Sequence, residues 1–173
     1  GMMQKQLNLK VKYRESFRPF APSVLREHIG EWFDHDNDSP YMLLVADVSK
    51  SKRIAVTDEE QSRFGIDKLN VQRSSIPAVT HVDFSARIQT VHQDTNPDYH
   101  ALISKFYQKT ACPIVVNTSF NVRGEPIVCS PEDAFKCFMG TELDVLAVGN
   151  FVLFKDEQDD VLKMNYEQRY ELD

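Results

Sequence analysis

Residues 113–135 read PIVVNTSFNVRGEPIVCSPEDAF. The start, Pro113 to Val116, is a short apolar run rich in β-branched side chains, the pattern of a buried strand. It passes straight into the polar Asn117-Thr118-Ser119-Phe120-Asn121. Further on, Ser130-Pro131-Glu132-Asp133 combines a capping hydroxyl, a proline at the first helical position and two acids at the positive end of the helix dipole. This predicts a helix that stops near Gly140. Strand, polar loop and helix thus follow one another within one stretch. Upstream, Asn96-Pro97 opens a second helix, with Tyr99, Leu102, Ile103, Phe106 and Tyr107 spaced as a single buried stripe. Downstream, Val145 to Phe154 reads as strand, broken by Gly149-Asn150. Two strand-like pieces, IPAVTHVD and SARIQTVH, fill Ile76 to His92, and Tyr41 to Val48 reads as a buried strand. Val24, Leu25, Ile29, Trp32 and Phe33 recur at near-helical spacing and predict a short amphipathic helix from Ser23. Residues 1–22, interrupted by Pro19 and Pro22, predict an extended strand followed by a loop. Ser49 to Ser75 is charged and weakly patterned, which predicts a partly mobile surface insertion with a modest helix at Asp58–Phe64. Alternating strands and helices imply an α/β or α+β fold. The expectation is a single domain with a twisted mixed sheet flanked by helices, residues 1–10 being a linker and 155–173 an acidic tail.

The chain has 173 residues, 42% hydrophobic and 27% charged, the balance of one globular domain able to bury a core. Its net charge of −6 argues against a general nucleic-acid coat. The charge is uneven: Lys5, Lys10, Lys12, Arg14 and Arg18 crowd the start, while Asp156, Glu157, Asp159, Asp160, Glu167, Glu171 and Asp173 mark the end. A local basic cluster on an acidic protein suits a small anion, and two solvated faces of opposite sign account for it equally well. Cys112, Cys129 and Cys137 make an odd number without a CxxC spacing, as in a cytoplasmic protein with reduced thiols. Cys112 and Cys129 lie in apolar stretches and are expected to pack. No apolar run approaches the roughly 20 residues of a membrane span, and no secretory leader is read. Gly1 before Met2 reads as the residue left by tag removal, so a piece of a longer protein is expected.

Three segments hold polar residues that a simple core would not want. In Lys12-Tyr13-Arg14-Glu15-Ser16-Phe17-Arg18, an extended chain would turn Lys12, Arg14 and Arg18 to one side as a phosphate cradle, with Arg as a bidentate fork and Lys as a point charge. The same spacing suits an edge strand protected by its cations. In Asn117 to Pro126, Ser119 and Asn121 can face one ligand beside Asn117 and Arg123, and Gly124 would let the backbone turn. Those residue types also make an ordinary capped turn. In the third segment a strand carrying Thr80, His81 and Arg87, near Asp83 and Ser85, would finish the pocket, although a histidine such as His81 by itself is more often structural. His28, His35, His92 and His100 show no metal spacing, so no protein-held metal is expected. No Gx4GK[ST], GxGxxG, HExxH or GxSxG is present.

The stretches KVKYRESFRPFAPSVL, PAVTHVDFSARIQTV and PIVVNTSFNVRGEPIVCSPEDAF, in this order, resemble the carboxy-terminal domain of NodU/CmcH-type carbamoyltransferases from about residue 5 to about residue 154. Phe84 stands where that pattern often has Gly. The resemblance implies a YrdC-like fold with a concave ligand surface. It implies formation of carbamoyl adenylate from carbamoyl phosphate and ATP, the latter carrying Mg²⁺ as part of the substrate, with pyrophosphate released. A missing amino-terminal actin/hexokinase-like domain would then transfer the carbamoyl group. The KxR and SxN elements of that fold match Lys12-Tyr13-Arg14 and Ser119-Phe120-Asn121. By similarity, Lys12 and Arg14 bind phosphates, and Ser119 and Asn121 hold phosphate or the adenylate. Arg18, His81, Arg87, Asn117 and Arg123 are the further expected contacts. The alternative is a nucleotide- or RNA-binding module of the same fold without turnover. The acidic charge weighs against RNA.

Overall fold

A computed structural model of the chain describes residues 2–162. Its helices are α1 (Met2–Lys10), α2 (Ile29–Trp32), α3 (Asp58–Ser62), α4 (Ile66–Leu69), α5 (Pro97–Thr110) and α6 (Pro131–Gly140). Its strands are β1 (Ala21–Leu25), β2 (Leu44–Asp47), β3 (Ser85–Val91), β4 (Ile114–Asn117), β5 (Val145–Val148) and β6 (Phe151–Phe154). The chain divides into two compact units. One runs from Pro19 to Thr118, and the other pairs Met2–Arg18 with the residues from Ser119 onward.

The first unit is built on a four-stranded mixed sheet of order β2-β3-β1-β4. β1 and β3 run parallel, with Ser23 opposite Gln89 and Leu25 opposite Val91. β4 joins β1 and β2 joins β3 antiparallel. All five residues of β1 are buried. A strand buried on both faces loses the alternation that reveals a strand, which is why Ser23–Leu25 mimicked a helix in the sequence. The helix expected there is confined to α2, after a 3₁₀ turn at Arg26–His28.

Against the sheet, Leu25, Val91 and Ile103 form a core joined by Tyr99, Tyr107 and Val115. Ile103 comes from α5, whose start is fixed as expected: the Asn96 side chain accepts from the Tyr99 N–H, and Pro97 follows. The predicted stripe is only partly buried, because Leu102 and Phe106 are 59% and 41% exposed. α5 ends at Ala111, a left-handed residue whose N–H donates to the Tyr107 carbonyl at 2.8 Å.

Two other expectations in this unit need correction. The strand expected over Tyr41–Val48 shrinks to β2, because Met42 takes a positive φ of 57° and breaks the extended run before it. Of the two pieces from Ile76 on, only the second is a strand. The first forms a 3₁₀ turn at Pro77–Val79 and then a tight turn in which the Phe84 N–H donates to the His81 carbonyl. Phe84 adopts φ 68°, a conformation that favours glycine, at the place where the family resemblance led us to expect Gly. In the 49–75 stretch, α3 forms as expected behind a capping box of Thr57 and Glu60. α4 was not foreseen. Val71, Arg73 and Ser74 are buried, so this stretch does not lie wholly on the surface.

The second unit opens with α1 where extended chain was predicted. Met2–Lys10 lacks Gly and Pro and consists largely of good helix formers. Its inner face carries Asn8, fully buried, so no apolar period announced the helix. α6 begins at the predicted Ser130 cap. It buries Ala134, Phe138 and Met139 with Leu146 of β5. Lys155 donates to the carbonyls of Phe138 and Thr141 and so closes the negative end of α6. β5 and β6 form a hairpin through Gly149 at φ 56°. The expected acidic tail contributes 3₁₀ turns at Lys155–Glu157 and Asp160–Leu162, and residues 163–173 lie outside the described residues. Among the described residues no helix is long and apolar enough to cross a membrane. Cys137 is buried and Cys112 partly so, but Cys129, expected to pack, is exposed because it leads into the Ser130 cap at the surface.

Candidate anion site

Lys12 and Arg14 do not converge by strand alternation. After α1 the backbone turns, with the N–H groups of Val11 and Lys12 both donating to the Leu7 carbonyl. Tyr13 then takes φ 48°, and its hydroxyl donates to the Gly140 carbonyl at 3.0 Å. The Tyr13 ring packs with Val122 and Cys137. This left-handed residue separates the paths of Lys12 and Arg14.

Lys12 points inward and is only 5% exposed. Its ammonium donates to the Ser119 carbonyl at 2.8 Å and Oγ at 3.2 Å, and to the Asn121 carbonyl at 2.7 Å and Oδ1 at 2.6 Å. Ser119 Oγ in turn donates to Asn121 Oδ1 at 2.6 Å, and Asn121 Nδ2 donates to the Glu125 carbonyl at 2.7 Å. The Lys12 carbonyl accepts from the Arg123 N–H, so backbone and side chain both tie the two segments. The Val128 N–H to Phe120 carbonyl bond closes the loop, and Gly124 at φ 81° turns it. Burial, then the neighbouring Arg14, lowers the Lys12 pKa from 10.5 to about 8.

Arg14 meets Asn8, its Nε donating to Asn8 Oδ1 at 2.6 Å. Burial and then Arg18 push its pKa down as well. Glu15 pairs with Arg18 at 2.9 Å and with Arg123 at 3.5 Å. A hydrogen bond from its own backbone N–H, then Arg18, Arg123 and Arg14, hold the Glu15 carboxyl below the ordinary carboxylate range. Six of the sequence-predicted residues therefore belong to one unit: Lys12, Arg14, Arg18, Ser119, Asn121 and Arg123.

Arg87, Asn117 and His81 belong to the other unit. Arg87 and Gln89 stand two apart on β3 and share a face of the sheet. Gln89 Oε1 accepts from Ser23 Oγ at 2.6 Å and from Asn117 Nδ2 at 2.5 Å. His81 sits on the turn before β3, its N–H donating to the Ser85 carbonyl at 2.8 Å. The Asp83 carboxylate accepts from the N–H and Oγ of Ser85, which lowers its pKa. Sequence reasoning missed Asn8, Ser23 and Gln89. A polar residue inside an otherwise apolar or helical run was the available signal for each.

The family model described as Carbamoyltransferase C-terminus matches residues 1–155. An uncharacterized protein of Synechocystis sp. is 58% identical over 99% of this chain and 28% of its own length. Nodulation protein NolO of Bradyrhizobium diazoefficiens is 42% identical over 87% of this chain and 24% of its own length. The 3'-hydroxymethylcephem-O-carbamoyltransferase of Amycolatopsis lactamdurans is 35% identical over 69% of this chain and 19% of its own length. The chain thus spans about a quarter of the length of the curated relatives it matches. With a match over nine-tenths of its length, this chain belongs to the carbamoyltransferase C-terminus family.

Proposed function

We propose that this domain activates a carbamoyl group on ATP for transfer to a hydroxyl acceptor. The observation that carries the reading is the gathering of Lys12, Arg14, Arg18 and Arg123 in one unit about the Glu15 carboxylate, which pairs with Arg18 and Arg123. Burial first and then Arg14 depresses the proton affinity of Lys12, and burial first and then Arg18 that of Arg14. Cations that press on one another this way gain from an anion placed among them. Lys12 fixes the Ser119–Asn121 loop and adds its charge from beneath it. Arg14 and Arg123 supply forked donors to phosphate oxygens. Ser119 and Asn121 orient the carbamoyl or phosphate oxygens. The fold proposed for this binding surface is YrdC-like.

The reaction balances with one water. Carbamoyl phosphate and water give carbamate and phosphate. A carbamate oxygen then attacks the α-phosphorus of ATP, the bond to the β-phosphate oxygen breaks, and pyrophosphate leaves with Mg²⁺. The protein's part is electrostatic, since the reactants are both anions and repel. In the longer proteins, a preceding actin/hexokinase-like domain would pass the carbamoyl group to its acceptor.

The test is calorimetric titration of Mg²⁺–ATP, with and without carbamoyl phosphate, followed by a pyrophosphate-release assay. Loss of one charge-assisted contact in Arg14→Ala should weaken binding about tenfold to a hundredfold. A folded Arg14→Ala that binds ATP like the wild type would refute the cradle. Arg87→Ala, Asn117→Ala and His81→Ala test the further contacts expected of those residues in the same titration.

A further inference from the structure

We infer that Asn8 is a positioning residue that sets the Arg14 guanidinium for phosphate binding. The inference deepens the proposed function and rests on it. Asn8 is 0% exposed on the inner face of α1. A buried amide costs free energy unless its hydrogen bonds are made, and packing alone would favour Leu at this position. Here Oδ1 accepts from Arg14 Nε at 2.6 Å. Both Nδ2 hydrogens have acceptors, the carbonyls of Ser16 at 3.2 Å and of Arg18 at 2.8 Å. The Asn8 carbonyl accepts from the Arg14 N–H at 2.9 Å. The partners fix the amide orientation: reversing it would face an N–H against an N–H and an oxygen against two carbonyls.

Asn8 therefore grips both ends of the basic segment and one donor of the fork. One turn earlier, Gln4 Nε2 donates to the carbonyls of Phe17 at 2.9 Å and Arg18 at 3.1 Å. Gln4 and Asn8 stand at i and i+4, so they form one polar row along α1. With Nε held, the planar guanidinium is restricted in orientation, and part of its rotamer entropy is spent before the ligand arrives.

The experiment is a double-mutant cycle on the whole chain, titrated with Mg²⁺–ATP. Asn8→Ala should weaken binding about tenfold. In the Arg14→Ala background the same change should cost nothing further, because the residue it positions is gone. Additive losses would assign Asn8 to the fold alone and overturn the inference. Should Asn8→Ala fail to fold, Asn8→Asp takes its place. That variant keeps an oxygen toward Arg14, loses both donors and pairs off the cation. It too should bind more weakly, and wild-type affinity would overturn the inference. A second readout needs no ligand. The Arg14 Nε–H resonance should be slow to exchange in the wild type and fast in Asn8→Ala. If Arg14→Ala binds ATP normally, the proposed function fails, while persistence of the protected resonance in Asn8→Ala sinks the brace itself.

Discussion

Replacing Lys12 with Met keeps a stem of four heavy atoms and removes the ammonium from its four oxygen contacts. Ser119 Oγ and Asn121 Oδ1 retain their bond to each other, so the loss falls mainly on two carbonyls. At about 1–3 kcal/mol for each buried acceptor left without a donor, Lys12→Met should cost about 2–6 kcal/mol at pH 7. The cost should also depend on pH in a particular direction. The folded-state pKa of Lys12 is about 8, below its ordinary 10.5. Between those values the unfolded chain binds the proton and the folded one does not. The contribution of Lys12 to stability therefore rises with pH across this window, by about 3 kcal/mol at 1.36 kcal/mol per pKa unit. Cys137 works the other way, burial raising its thiol to about 11 from 9, so its contribution falls as pH rises above 9. It is present in both proteins, and subtracting the mutant removes most of its effect. Urea unfolding of wild type and Lys12→Met at pH 7 and pH 10 measures the difference. It should widen at the higher pH. A gap that stays flat or narrows, or a cost under about 1 kcal/mol at pH 7, would refute the picture of a desolvated ammonium holding the loop.

Anion binding beside Lys12 should raise its pKa, so Mg²⁺–ATP titrations near pH 8 should take up about half a proton. Equal heats in buffers of different ionisation enthalpy would contradict this. Ala111→Gly, at the exposed left-handed end of α5, should stabilise the fold by about 1 kcal/mol in thermal unfolding. Ellman's reagent should react first with the exposed Cys129, and with buried Cys137 only after unfolding. A fast phase that survives Cys129→Ser would overturn the assignment.

The elements most legible in the sequence were those with a local chemical start. Asn96-Pro97 and Ser130-Pro131 each announced a helix, and both caps are made. The mixed α/β class and the break at Gly149 were legible for the same reason. β1 was missed because burial on both faces erased its alternation. α1 was missed because the side chain it buries is an amide. The Lys12 pairing with Ser119 and Asn121 spans more than a hundred residues, and only the resemblance to a known pair of motifs brought those residues together beforehand. The direction of Lys12 was beyond sequence reasoning, since an extended backbone was assumed and Tyr13 takes a left-handed turn.

The unit that holds Lys12 is assembled from two stretches of chain, Met2–Arg18 and the residues from Ser119 onward, and the residues of the other unit come between them in sequence. On a ribosome, Lys12 emerges long before Ser119 and Asn121 exist. At about 5–20 residues per second, the hundred-odd residues to Ser119 take roughly 5–20 s to make. The earlier unit can close its sheet in that interval, since β1 to β4 all lie within it. Lys12 has no such local partner and must wait for the carbonyls and side chains of Ser119 and Asn121. The Lys12 cage should thus mature after the sheet, and translation stalled before Ser119 should release a product with a formed sheet and no cage.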